Sequence, residues 1–118
     1  NRIVWDAYNA NPSSMAAALA NMASFNSEKL ILILGEMKEV GETSLAEHQF
    51  LIDEALKLNP NSILLIGGSF KNCTLDKARH FPNVGDLGTF LLKNRLRDSL
   101  VLVKGSRSNQ LEKLKGVL

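Results

Sequence analysis

Two short stretches of this sequence concentrate side chains able to do chemistry. The first, Asp6-Ala7-Tyr8-Asn9-Ala10-Asn11-Pro12, sets a carboxylate, a phenol and two amides within six positions, which is more hydrogen-bonding capacity than a plain turn requires. A carboxylate at the end of a strand suits ribose hydroxyls, the amides suit a small polar ligand, and free N–H groups at a helix start favour an anion. Capping and turn formation explain Asn11 and Pro12 about as well as a ligand does, but leave Asp6, Tyr8 and Asn9 less accounted for. The second stretch, Lys104-Gly105-Ser106-Arg107, sets two cations and a hydroxyl at the expected start of the last helix, where cations oppose the helix dipole. A carboxylate or phosphate bound between them would relieve that conflict, gripped by the guanidinium through two N–H bonds. Ordinary surface cations are the competing account.

Elsewhere the reactive residue types are isolated. His48 falls one turn into an expected helix, in line with Leu45, Ile52 and Ala55, which fits a partly buried structural histidine better than a catalytic one. His80 and Cys73 have no visible partners, and no His, Cys or acidic cluster stands at metal-ligand spacing. Gly67-Gly68-Ser69 is too short for a dinucleotide fingerprint, and a Gly-Lys-Ser/Thr phosphate loop is nowhere in the chain. By itself, such a chain is not expected to bind ATP tightly. The single cysteine also forbids an internal disulfide and allows a reducing compartment.

The elements that must hold these residues read as one ordinary soluble domain of 118 residues, with 14 Lys plus Arg against 12 Asp plus Glu. Seven cations oppose two acids after residue 92, against seven and ten before it. That unevenness suits a small anionic ligand better than nucleic acid, because no aromatic residues interleave the basic ones. The longest apolar runs, Leu30 to Leu34, Ile63 to Ile66 and Leu100 to Val103, fall far short of the roughly 20 residues that span a bilayer, so no membrane insertion is expected. These runs fit strands covered on both faces. Arg2 to Asp6 forms a first strand, Pro12 to Phe25 a helix, and Ser44 with Glu47 a capping box opening a helix to about Leu58, with Leu45, Ile52, Ala55 and Leu56 inward. Residues 75–79 are expected to hold a short helix and Val84 to end a weak strand. Gly85 to Leu96 and Arg107 to Leu118 should be helical. Strands alternating with crossovers define a three-layer, Rossmann-like α/β fold: a mainly parallel sheet with helices on both faces, and the polar loops on the rim at the strands' carboxyl ends.

Taken in order, Asp6-Ala7-Tyr8-Asn9-Ala10-Asn11-Pro12-Ser13-Ser14-Met15, Leu34-Gly35-Glu36-Met37 with Glu39 and Gly41, His48, and Lys104-Gly105-Ser106-Arg107 with Glu112 resemble the C-terminal domain of the Mur ligases. Glu36, Lys38 and Asn109 stand where that family more often shows Asp, an apolar residue and Met. The resemblance runs over essentially the whole chain. It implies that residues 1–118 are the C-terminal domain of a longer ligase whose N-terminal and central ATP-binding domains precede it, in keeping with a first residue, Asn1, that is not Met.

What the resemblance further implies is a cytoplasmic step of cell-wall peptidoglycan synthesis. ATP, with Mg2+ held by the central domain, phosphorylates the terminal carboxylate of a UDP-N-acetylmuramoyl-tripeptide, and the amine of D-alanyl-D-alanine attacks the resulting acyl phosphate. Asp6 would reach the ATP ribose when the domain swings shut. Tyr8 and Asn9 would line the cleft near the nucleotide, and Asn11, Lys104, Ser106 and Arg107 would face the dipeptide or the phosphates. Closure would bring amine to acyl phosphate ahead of water. No catalytic residue and no metal ligand is assigned to this domain, which alone should be inactive. Two rivals remain: a nucleotide- or flavin-binding doubly wound domain, disfavoured by the missing fingerprint, and a non-catalytic α/β interaction module with no ligand on the rim.

Overall fold

The apolar runs fold as strands. In the computed structural model, which describes residues 1–6, 9–25, 29–38 and 40–118, β1 (Arg2–Asp6), β2 (Leu30–Gly35), β3 (Ser62–Ile66), β4 (Arg79–Phe81) and β5 (Leu100–Lys104) form one sheet. Its order is β1-β5-β2-β3-β4, and every pairing is parallel. The three helices among the described residues are α1 (Pro12–Met22), α2 (Ser44–Lys57) and α3 (Val84–Lys93). This is the three-layer Rossmann-like arrangement that the sequence predicts.

Alternation along the strands builds two cores, because successive side chains point to opposite faces. Leu32 and Leu34 of β2 join Met15, Leu19 and Met22 of α1 and Leu51, Ile52 and Ala55 of α2 on one face. Ile31 and Ile33 join Leu87 and Leu91 of α3, with Leu111 and Leu114 from the C-terminal segment, on the other. β2, β3 and β5 therefore have both faces covered, which explains runs too apolar to alternate. Each such Leu or Ile contributes roughly 1.5–3 kcal/mol by burial.

Local chemistry sets the helix ends. Asn11 caps α1, its Oδ1 accepting from the Ser14 N–H at 2.9 Å while Ser14 Oγ accepts from the Asn11 N–H at 3.0 Å, and Pro12 holds the first helical position. Asn83 caps α3 through the Asp86 N–H at 2.8 Å. α2 ends where Asn59 turns left-handed at φ 54°, just ahead of Pro60.

Several sequence-based expectations are corrected. Ser44 and Glu47 do not cap α2: the helix grows out of a 3₁₀ turn, Gly41–Thr43, and Thr43 stands at the cap with its hydroxyl turned back to the Val40 carbonyl instead of onto a helix N–H. Ser44 Oγ instead meets His48 Nδ1 at 3.2 Å, and Leu45 faces outward at 52% exposure. Residues 75–79 hold a turn rather than a helix, with Asp76 left-handed. The weak strand is β4, ending at Phe81, and α3 stops three residues short of Leu96. The last helix is replaced by two 3₁₀ turns, Arg107–Asn109 and Leu111–Leu114, parted by Gln110 at φ 54° and ψ 40°. A left-handed residue there ends any α-helical run, while the spacing of Leu111 and Leu114 still buries both.

Candidate functional site: the rim of the sheet

All strands being parallel, their carboxyl ends share one rim. β5 hands the chain to the α3 face, whereas its neighbours β1 and β2 lead into α1 and α2 on the opposite face. The chain therefore parts around the end of β5, the kind of switch point at which open α/β sheets take ligands.

Two ionic clamps stand on this rim. In the first, Asp6 and Lys104 are register partners at the ends of β1 and β5. Lys104 Nζ donates to Asp6 Oδ2 at 2.8 Å and to the Asn9 carbonyl at 2.9 Å. The lysine side chain is only 2% exposed, while that of Asp6 is 48% exposed. Burial without partners would cost an ammonium several kcal/mol, and these two acceptors offset it. Lys104, expected to face a dipeptide or phosphate, lies buried at the end of β5 between two neighbouring strands, with its ammonium on Asp6 and the Asn9 carbonyl.

In the second clamp the polarity is reversed. Glu36, directly after β2, is buried, and its carboxylate accepts from Lys38 Nζ and, at 2.7 Å, from the Ser69 N–H. Its side chain is 11% exposed against 53% for Lys38. Burial pushes the Glu36 carboxyl up, but the Lys38 hydrogen bond, those from the Ser69 N–H and hydroxyl, and the Lys38 charge outweigh it and hold the pKa below its ordinary value. The carboxylate lies over Gly67, where a Cβ would stand 2.5 Å from Glu36 Cδ and where φ is +119°. Only glycine fits there.

The two clamps meet at the centre of the rim. A Cβ on Gly35 would lie 3.2 Å from the Gly105 Cα and 2.2 Å from Asn109 Oδ1, so the ends of β2 and β5 can approach only as glycines. Asn109 is buried, and its Oδ1 accepts from the Ser106 N–H at 2.8 Å and the Ser106 hydroxyl at 3.1 Å. Ser106 is thus partly committed to its own turn. Arg107 is exposed at the start of that turn, and a three-residue 3₁₀ turn has no dipole of the size the expected helix would carry. Asn9 is exposed, Asn11 serves as the cap of α1, and Tyr8 lies outside the described residues. The structure therefore brings Asp6, Asn9 and Lys104 into contact and seats Ser106 and Arg107 on the neighbouring turn.

Sequence reasoning missed Glu36 and Asn109 as rim braces. Glu36 carried one signal, a carboxylate immediately after a fully apolar strand. Asn109 carried another, its position three residues after Ser106, which matches capping-box spacing. With Gly67, Asn83 and Ser108 they line a cleft of about 150 Å³ between the second clamp, the turn after β5 and the start of α3. His48 is fully buried, with Nε2 accepting from the Met37 N–H at 2.9 Å and Nδ1 lying 2.7 Å from the Ser44 carbonyl. Its proton therefore sits on Nδ1, and the ring ties the loop after β2 to α2, the structural role the sequence suggests. Among the described residues no group of three or more His, Cys, Asp or Glu could hold a metal ion, and no helix is long and apolar enough to cross a membrane.

Residues 1–107 match the family model described as Mur ligase, glutamate ligase domain, and the chain belongs to that family. Its relatives include UDP-N-acetylmuramoyl-tripeptide--D-alanyl-D-alanine ligases. That of Buchnera aphidicola is 34% identical over 95% of this chain and 25% of its own length, and that of Borreliella burgdorferi 32% identical over 95% and 26%. The crystal structure of MurF from Acinetobacter baumannii superposes with a TM-score of 0.82 at 28% identity, over 97% of this chain and 26% of that one. MurF from Thermotoga maritima, solved in complex with ADP, shares the fold at a TM-score of 0.78 and 24% identity, over 98% and 27%. The chain spans about a quarter of the length of the curated relatives it matches.

Proposed function

We propose that this chain serves as the C-terminal domain of an ATP-dependent ligase that joins D-alanyl-D-alanine to a UDP-N-acetylmuramoyl-tripeptide in the cytoplasm, during peptidoglycan synthesis. One observation carries the reading: ligases of that name match along nearly the whole chain. ATP supplies the phosphoryl group that activates the peptide carboxylate. The described residues offer no acidic cluster for magnesium, which this reading assigns to the central domain of the ligase.

On the rim, the half-exposed Asp6 carboxylate suits ribose hydroxyls, with Asn9 beside it; Tyr8 is assigned to the nucleotide by the family resemblance alone. Arg107 and Ser106, on the turn after β5, meet the dipeptide or the phosphates as the domain closes, with Asn11 at the head of α1. Water exclusion is the purpose of that closure, since an activated carboxylate hydrolyses unless the amine arrives first. The test is phosphate release by the full-length polypeptide with UDP-N-acetylmuramoyl-tripeptide and ATP, with and without D-alanyl-D-alanine. Release that depends on the dipeptide is expected. Release indifferent to it, or none, would remove the ligase reading.

A further inference from the structure

We propose that Lys104 is a positioning residue for the nucleotide: its buried ammonium aims the Asp6 carboxylate and the Asn9 carbonyl, and so sets ATP affinity without touching ATP or dipeptide. The proposal rests on the assignment of Asp6 to the nucleotide above. Three observations carry it. The Lys104 side chain is 2% exposed, so its charge is withdrawn from solvent. Its ammonium bonds the last residue of β1 and the loop that follows, Asp6 Oδ2 at 2.8 Å and the Asn9 carbonyl at 2.9 Å. Only Oδ2 of Asp6 is engaged, and Oδ1 has no protein hydrogen bond among the described residues, on a side chain 48% exposed.

An aspartate at a strand end has free rotamers, and fixing them when a ligand arrives reduces affinity. Lys104 fixes them beforehand. With Oδ2 held from below, the free oxygen is presented outward to hydroxyl donors. The bond to the Asn9 carbonyl holds that residue at the same point, so one ammonium sets both the carboxylate and Asn9. A lysine that itself gripped an anion would need its ammonium at the surface; here the surface group is the carboxylate.

In the full-length ligase, Lys104→Met should raise the ATP KM by about tenfold, the loss of one charge-assisted hydrogen bond, with the dipeptide KM and kcat at saturating ATP within about twofold of wild type. Lys104→Arg, which keeps a cation beneath Asp6, should recover the ATP KM to within about threefold. Asp6→Asn should raise it as Lys104→Met does, and the double variant should rise no further than either single, by about twofold at most, because both changes remove one interaction. Lys104→Gln, a neutral donor, carries the same expectation should Lys104→Met fail to fold. Additive effects in the cycle, an unchanged ATP KM, or a rise confined to the dipeptide KM would overturn the role of Lys104. Loss of dipeptide dependence in the wild type would instead overturn the functional reading on which it rests.

Discussion

The two clamps on the rim are built from the same pair of charges with opposite halves buried. At β1 and β5 the cation is hidden and the carboxylate of Asp6 faces out; at β2 and β3 the carboxylate is hidden and the ammonium of Lys38 faces out. In each, the buried member receives a backbone partner as well, the Asn9 carbonyl for Lys104 and the Ser69 N–H for Glu36. Burying one charge of a pair thus fixes which sign the surface shows. One side of the rim offers an acceptor for hydroxyls and the other a donor for anions, a division that a surface of unpaired side chains would not hold in place.

The largest effect should come from the backbone beneath the second clamp. Gly67→Ala places a Cβ against the Glu36 carboxylate at a φ that only glycine adopts, and should cost about 2–4 kcal/mol in equilibrium urea unfolding; a loss below the size of ordinary surface changes would show that the clamp is loose. Next, stripping the exposed member of the first clamp strands the buried one. Asp6→Ala should therefore cost about 2–3 kcal/mol, and Lys104→Met about 1, since an apolar chain takes the buried place and Asp6 returns to water. The reverse order would break the comparison.

Glu36→Gln tests the second clamp through pH. Because the folded pKa of Glu36 lies below its ordinary value, ionisation stabilises the fold fully above the unfolded carboxylate range, and that stability is lost as pH falls through the folded value. Wild type should exceed Glu36→Gln by about 1–2 kcal/mol near neutrality, and the gap should close in acid; thermal melts across the pH series read it, and a gap independent of pH would mean the carboxylate is not held ionised. Smallest is Lys38→Ala, about 0.5 kcal/mol, because that ammonium is largely in water and Glu36 keeps its bond to Ser69.

The sheet was legible because burial on both faces leaves continuous runs such as Leu30 to Leu34, which no surface helix would show. α1 was legible from Asn11 and Pro12, whose capping chemistry is local. The C-terminal segment misled because Leu111 and Leu114 satisfy 3₁₀ and α spacing alike, and nothing in Gln110 announces a left-handed backbone. Ser44 misled because its hydroxyl had a second suitor four residues on, in His48. The burial of Lys104 was not legible for a different reason: a cation ending an apolar strand looks like a surface group until its partner is known, and that partner stands 98 residues away. Local pattern carries local structure; the sign and burial of the rim charges depend on topology.

That separation has a consequence for how the molecule assembles. Among the described strands of residues 1–118, β1 comes first and pairs only with β5, which comes last. During synthesis, then, β1 has no neighbour to join until residues 100–104 have emerged, while β2, β3 and β4 can zip together at once. Closing so long a loop is entropically slow, so the edge that bears Asp6 should be the last part of the sheet to form, and a ribosome-bound or truncated chain ending before Leu100 would leave that strand unpaired and open to pairing with another molecule.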